Sequence, residues 1–129
     1  MGADRHRPHG PVKTVLVVED DAHLRRVFRT LLESEGFAVV EAGDGAEGLA
    51  AVEANPPDCI LTDTLMPRLD GLAMLGKLRE QGRTRPTIIV SAVHELPPMD
   101  ALKELGVAQV FGKPFAFELL VAAVVKLAG

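Results

Sequence analysis

The sequence predicts an α/β protein in which a five-stranded parallel sheet carries helices on both faces. Three observations lead to this fold class. Apolar, β-branched segments alternate with amphipathic segments from residue 13 onward, and the loops between them are short, which is the pattern of repeated βαβ units. Three of the strand segments are continuous apolar runs, as in strands buried on both faces. With 129 residues and 47% hydrophobic residues, the chain can fill one core without disulfides or a structural metal.

The first strand and helix are defined by a change of hydrophobic period. The strand is "KTVLVVE", residues 13–19, and Asp20-Asp21 follow it as a helix cap. Five apolar residues of the next segment recur at helical spacing and form one face, namely Leu24, Val27, Phe28, Leu31 and Leu32. Gly36 is predicted to end this helix.

The later elements repeat the alternation of strand and helix. Further strands are predicted at 37–42, 58–63, 86–92 and 107–112. Helices are predicted at 44–55, at roughly 71–81, from Pro97-Pro98 onward and at 115–128. Pro56-Pro57 stop the second helix and Gly82 ends the third, because neither residue type continues a helix.

Composition restricts the class of protein. Residues 1–12 are polar and rich in Pro, Gly, His and Arg, so we expect a disordered leader before a domain at 13–129. The 14 basic and 18 acidic residues give no electrostatic case for direct nucleic acid binding. Cys59 lies inside an apolar run and is expected to be a buried thiol in a reducing compartment. No segment has the ~20 apolar residues of a membrane span or the core of a signal peptide, which indicates a cytoplasmic protein without a membrane partner.

Polar side chains follow four of the predicted strands at the point where each ends. These residues are Glu19 and Asp20 after the first strand, Asp63 after the third, Ser91 after the fourth and Lys113 after the fifth. In open α/β sheets the ligand binds beyond the carboxyl ends of the strands. We therefore expect carboxylates, a hydroxyl and an ammonium group to meet in one crevice.

The charges in this crevice indicate its chemistry. Two carboxylates about 4 Å apart repel by about 4 kcal/mol at an effective dielectric constant of 20, so the acidic cluster requires a cation. Carboxylate oxygens without nearby Cys or His ligands favour Mg²⁺. An aspartate beside Mg²⁺, a lysine and a hydroxyl group can accept a phosphoryl group, since the cations offset the charge on the phosphoryl oxygens.

Each of these residues also has an ordinary structural role. A single acid after a strand, such as Asp20 or Asp21, often caps a helix. Ser91 alone is more often a strand-end hydroxyl, Lys113 alone is usually a solvated charge, and His94 is most simply an exposed loop residue. The combination is therefore far more specific than any of its parts.

The motifs together resemble the receiver domain of two-component response regulators over residues 13–128. They are "VLVVEDD", "DCILTDTLMPRLDG", "TIIVSA" and "VFGKPF", in that order. The resemblance implies a flavodoxin-like fold with strand order 2-1-3-4-5. It also implies a phosphorylation-controlled signalling switch rather than an enzyme, with a histidine kinase or a phosphotransfer protein as the phosphoryl donor.

The resemblance assigns roles to individual residues. Asp63 would be the phosphoacceptor, Ser91 would bind a phosphoryl oxygen, and Lys113, before a cis Lys113–Pro114 bond, would pair with the phosphoryl group. The implied Mg²⁺ ligands are Asp20, Asp63, the backbone carbonyl of Leu65, and Glu19 directly or through water.

Three positions depart from the family pattern. Val110 stands where relatives usually carry the Tyr or Phe of the switch, and Leu65 and Val93 are apolar where many relatives place polar groups. One alternative is a haloacid-dehalogenase-like phosphatase, which would need a second acid at the position of Leu65. Another is a nucleotide or flavin binder, which would need a Gly-rich loop in place of "EDDAHL".

The last predicted helix is unusually apolar. Only Glu118 and Lys126 are charged between residues 115 and 128. Leu120, Val124 and Leu127 are expected to face the core, which leaves Val121 and Val125 partly exposed. In receivers the face made by the fourth helix, fifth strand and fifth helix is the signalling surface, so the resemblance predicts a homodimer or effector contact there. A wide core stripe that packs only within the domain is the alternative.

Overall fold

The computed structural model describes residues 12–92 and 96–128. The predicted leader, apart from its last residue, and the interpretations of Val93 and His94 lie outside these residues. Within them the predicted alternation is confirmed, with element boundaries that differ from the predictions by one or two residues. None of the helices in the described part is long and apolar enough to cross a membrane.

Five strands and five helices alternate along the chain. The strands are β1 (Thr14–Val18), β2 (Ala38–Ala42), β3 (Cys59–Thr62), β4 (Thr87–Ser91) and β5 (Val107–Gly112). The helices are α1 (Ala22–Ser34), α2 (Gly45–Ala54), α3 (Gly71–Glu80), α4 (Met99–Glu104) and α5 (Phe117–Ala128).

The strands form one parallel sheet in the order β2-β1-β3-β4-β5, as expected. β3 is the central strand with β1 and β4 beside it, and all three consist almost entirely of buried residues. The register of β4 against β5 shifts by one residue after Thr87, which is the signature of a β-bulge. This order places the ends of β1, β3 and β4 side by side.

The side chains of each strand alternate between two core clusters, one on each face of the sheet. Val15 and Val17 join the cluster covered by α1 and α5. Leu16 and Val18 join the cluster covered by α2, α3 and α4. Because both faces are covered, the strands are apolar on both sides, and this explains the uninterrupted apolar runs.

Short side chains and glycines set the helix ends. Asp21, Asp44 and Asp70 each accept a backbone N–H of the first turn of α1, α2 and α3. Gly36 has φ +96° just after α1, a conformation that glycine adopts without strain. Pro98 is the N-cap of α4, which begins at Met99, so the helix starts just after Pro97-Pro98 and not with them as predicted.

α5 covers the sheet as predicted, but Val121 and Val125 lie on the side of the helix next to α1. Leu120 and Val124 are buried and Leu127 is half-buried. Val121 is half-buried and Val125 is 39% exposed; both line a groove against α1. The prediction that they are partly exposed is confirmed, but they lie on the α1 side of α5 and not on the face of α4, β5 and α5.

Candidate functional site

The residues that follow the strands continue the sheet ladder for one more step. The backbone N–H of Glu19 donates to the carbonyl oxygen of Ala42 at 3.0 Å, and that of Asp63 donates to Val18 at 3.1 Å. The N–H of Lys113 donates to the carbonyl oxygen of Ser91 at 2.9 Å. The backbone of these site residues is thus as fixed as the strands, and only their side chains leave the sheet.

Asp63 is held on both of its carboxylate oxygens. The residue is 8% exposed. Its Oδ1 accepts the backbone N–H of Thr64 at 2.6 Å, and its Oδ2 accepts the Lys113 ammonium at 2.9 Å. Charge-assisted hydrogen bonds of this kind fix orientation as well as charge. The Lys113–Pro114 peptide bond is cis, as the resemblance implied.

Three acidic side chains meet around Asp63. Carboxylate oxygens of Glu19, Asp20 and Asp63 all lie within 4.8 Å of one another. Asp20 is exposed, whereas Glu19 is 2% exposed. The expected convergence of these acids with Lys113 is therefore present.

Glu19 carries an unusual oxygen. Its Oε2 accepts the backbone N–H of Asp21 at 3.1 Å. Its Oε1 is buried and has no hydrogen-bond partner among the described residues, and the Lys113 Nζ is 3.6 Å away. A buried carboxylate oxygen without a donor costs free energy, so this atom favours a ligand that supplies positive charge.

Burial and neighbouring charges shift the pKa values of Glu19 and Lys113. Burial raises the pKa of Glu19 to about 7, with a further contribution from the charge of Asp63, although the Asp21 N–H acts in the opposite direction. Burial lowers the pKa of Lys113, but its hydrogen bond to Asp63 and the charges of Glu19 and Asp63 outweigh this, and the pKa is raised. Lys113 therefore stays protonated beside the acids.

The residues present fit a bound Mg²⁺. Three carboxylates supply hard oxygen ligands within reach of one ion, and one of the three residues is Glu19, whose Oε1 has no hydrogen-bond donor among the described residues. Among the described residues, this group contains neither Cys nor His, so a softer transition metal is disfavoured.

Thr64 is a member of the site that the sequence analysis missed. It is buried next to Asp63, and its Oγ1 lies 2.6 Å from the Oγ of Ser91. The hydroxyl of Ser91 is therefore linked to the Asp63 segment through Thr64. Its position directly after the predicted phosphoacceptor could have indicated this role. A threonine at the end of a strand is too common, however, to identify a site residue by itself.

The loop that follows Asp63 is fastened to α2. Arg68 has φ +65°, and its guanidinium group binds the buried Asp44 carboxylate through Nε at 2.7 Å and also through Nη2. The N–H of Gly45 donates to the carbonyl oxygen of Leu69 at 2.8 Å. These contacts fix the segment that includes Leu65, whose side chain is 66% exposed. The sequence marked Asp44 only as part of a helix start and gave no indication of Arg68.

Val110 on β5 is the position where the resemblance implied an aromatic switch residue. Val110 is half-buried in the cluster covered by α2, α3 and α4. Phe111, the next residue, packs with the opposite cluster under α1 and α5. Since neighbouring strand residues point to opposite faces, Phe111 cannot replace a missing aromatic at Val110.

The comparison with protein families agrees with this geometry. A family model described as the response regulator receiver domain matches residues 15–125. Among curated proteins, the chain is similar to the response regulator MprA of Mycobacterium sp. (strain KMS), with 38% identity over 112 residues. The match covers 87% of this chain and 48% of that protein. The chain thus spans about half the length of the curated relatives it matches.

Solved structures share the fold. The receiver domain of the Francisella response regulator 1452 has a TM-score of 0.81 and 34% identity, with coverage of 90% of this chain and 96% of that one. A CheY-like receiver domain protein from Methanospirillum hungatei JF-1 has a TM-score of 0.79 and 27% identity, with coverage of 91% and 94%. The chain therefore has the same fold as these receiver domains.

Proposed function

Because the chain belongs to the response regulator receiver domain family, we propose that Asp63 accepts a phosphoryl group from the phosphohistidine of a histidine kinase or phosphotransfer protein. The domain is part of a two-component system and acts as a signalling protein. The proposed limits are a leader over residues 1–12 and a receiver domain over 13–129. A cytoplasmic location is part of this proposal.

The observation that carries the proposal is the position of the Asp63 carboxylate. It projects from the end of a central strand, between Lys113 and the Thr64 N–H, beside the acidic pair Glu19 and Asp20. An Asp63 oxygen attacks phosphorus, the P–N bond of the phosphohistidine breaks, and its electron pair leaves with the imidazole, which takes a proton. The products are an acyl phosphate on Asp63 and a neutral histidine on the donor.

The other residues act on the charge and position of the phosphoryl group. The proposed role of Lys113 is to pair with a phosphoryl oxygen, and its hydrogen bond to the Oδ2 of Asp63 supports this role. Ser91 is placed to bind a second oxygen once its hydroxyl leaves Thr64. When bound, Mg²⁺ supplies positive charge to the phosphoryl oxygens and to the acidic cluster. Glu19, Asp20, Asp63 and the Leu65 carbonyl are its proposed ligands.

The phosphatase alternative lacks a required group. Leu65 stands two residues after Asp63, and its exposed side chain has no acid or base to offer. The family match is to receiver domains. We therefore set aside a haloacid-dehalogenase-like phosphatase; any loss of phosphate by this domain would be slow and self-directed. The expectation of no direct nucleic acid binding stays a prediction, supported by the net charge of −4.

The proposed partner surface for signalling is the face formed by α4, β5 and α5. Met99 on α4 is 38% exposed and Leu119 on α5 is 64% exposed. Ala123 and Lys126 of α5 line a groove with Gln109 of β5, so the flank of α5 that faces β5 is accessible. These exposed side chains and the groove support a protein contact on this face, with an effector or a second copy as the partner.

The function is tested by incubation with acetyl phosphate and Mg²⁺, followed by intact-mass measurement. Wild type should gain the mass of one phosphoryl group, and Asp63→Asn should gain none. Asp100→Asn makes the same substitution at an exposed position on α4 and should gain one phosphoryl group, as wild type does. An undiminished adduct on Asp63→Asn would refute the assignment.

The donor is tested separately. A phosphotransfer profile against the histidine kinases of the source organism should show one kinase that transfers far faster than the others. Uniformly slow transfer from every kinase, together with rapid transfer from a phosphotransfer protein, would place the domain later in a phosphorelay.

A further inference from the structure

The outward face of α5 is symmetric about one residue. Its exposed residues are Glu118, Leu119, Ala122, Val125 and Lys126. They recur three and four positions apart and so form a single face of the helix. Leu119 and Val125 lie three positions on either side of Ala122, and Glu118 and Lys126 lie four positions on either side.

This arrangement is complementary to itself when the helix is reversed. If two copies of α5 pack antiparallel with a two-fold axis at Ala122, Glu118 is level with Lys126 of the partner subunit. Leu119 is then level with Val125 of the partner subunit. A two-fold interface requires such a self-complementary patch, since each contact between two different residues occurs twice.

The centre of the face is suited to close contact. Leu119 is 64% exposed and Val125 is 39% exposed, although both are large apolar side chains. The small side chain of Ala122 at the centre allows the helix axes to approach to the ~8–10 Å typical of packed helices. Opposite charges at the two ends favour the antiparallel orientation over the parallel one, because a parallel pair would place like charges level with each other.

The apolar surface continues beyond α5. A groove of about 590 Å³ lies between α1 and α5 and is lined by Leu31, Phe117, Val121 and Val125, among others. It is separate from the acidic cluster and serves no step proposed above.

We propose that the outward face of α5 binds a second copy of this chain, antiparallel, with Glu118 and Lys126 pairing across the two-fold axis. This deepens the partner part of the proposed function, but it does not rest on the chemistry of Asp63. It differs from the face of α4, β5 and α5, with which it shares Leu119 and Lys126. The helix has 12 residues and is about 18 Å long. The contact is therefore smaller than the ~1,200–2,000 Å² of stable interfaces, and the dimer is concentration-dependent.

The proposal is tested by sedimentation equilibrium of the full chain at concentrations up to about 1 mM, a range chosen for weak contacts of this size. Wild type should associate to a dimer. Glu118→Lys and Lys126→Glu should each stay monomeric, because each places like charges level across the axis. The double variant Glu118→Lys/Lys126→Glu should associate again. Glu53→Lys on α2 and Lys77→Glu on α3 make the same charge changes at exposed positions away from α4, β5 and α5 and should associate as wild type.

A further variant tests the centre of the interface instead of the charges at its two ends. Ala122→Glu places two like charges at the axis and should abolish association, while circular dichroism shows a folded domain. A wild type that stays monomeric would overturn the proposal and leave this face to a different protein. Single variants that associate as wild type, or a double variant that does not recover, would also overturn it. Phosphorylation of all variants by acetyl phosphate should be unchanged, which separates a failed dimer from a failed phosphoacceptor assignment.

Discussion

At the scale of single residues, the acidic cluster has more negative charge than Lys113 can balance. Lys113 lies 2.9 Å from Asp63 and 3.6 Å from Glu19, so within the described part of the chain one ammonium group pairs with two buried carboxylates. Asp20 adds a third negative charge at the surface. Burial raises the pKa of Glu19 to about 7, and the charge of Asp63 adds to this rise. A divalent cation at this point would restore the balance.

The side chain of Leu65 predicts the lifetime of the acyl phosphate. It is largely exposed two residues after Asp63 and offers no hydrogen bond to orient an attacking water molecule. We expect the phosphorylated state to be long-lived for a receiver domain. Leu65→Asn should shorten its half-life several-fold, as followed by intact mass after removal of the phosphodonor. Leu119→Asn makes the same substitution at another exposed leucine and should leave the half-life unchanged. A rapid wild-type decay that Leu65→Asn does not alter would contradict this explanation.

At the scale of secondary-structure elements, α3 contains two glycines with opposite requirements. A Cβ on Gly71 would lie 2.0 Å from the carbonyl oxygen of Asp63, whereas a Cβ on Gly76 would contact nothing within 4 Å. The first glycine lets the start of the helix pack against the backbone of Asp63. The second only adds flexibility to the unfolded chain and the helix.

Alanine substitutions at these two positions should therefore have opposite effects on stability. Gly71→Ala should lower the free energy of unfolding by about 2 kcal/mol or more, since the backbone of Asp63 must move. Gly76→Ala should raise it by about 0.5–1 kcal/mol, because alanine is the better helix former. Urea denaturation measures both values. A stable Gly71→Ala variant would show that the loop after β3 is more adaptable than its contacts indicate.

The elements also show where prediction from sequence succeeds and where it stops. Hydrophobic period and strand-end chemistry predicted the alternation of strands and helices and placed Glu19, Asp63 and Lys113 in one crevice. The hydrogen bond between Thr64 and Ser91 was not predictable, because it depends on side-chain orientation across two strands. The sequence also did not indicate that Val121 and Val125 lie on the side of α5 next to α1. A helical pattern defines two flanks beside the buried stripe, but it does not say which one faces α1.

At the scale of the whole molecule, metal binding should be coupled to stability. Mg²⁺ at about one hundred times its Kd should stabilise the folded protein by about 2.7 kcal/mol, which raises the Tm of a domain this size by several degrees. Asp20→Asn should reduce this shift and, in EDTA, should melt no lower than wild type because repulsion in the cluster is relieved. Thermal melts with Mg²⁺ and with EDTA provide the comparison. An unchanged wild-type Tm on addition of Mg²⁺ would count against the metal site.

The measurement that tests the central claim most directly is chemical trapping of the acyl phosphate. The protein is phosphorylated with acetyl phosphate and Mg²⁺ and reduced with borohydride, which converts a phosphorylated aspartate to homoserine, and the peptides are then mapped by mass spectrometry. The proposed function predicts homoserine at position 63 and unmodified Glu19 and Asp20. Homoserine at position 20 with none at position 63, or a phosphoryl group on a residue outside the crevice, would contradict it.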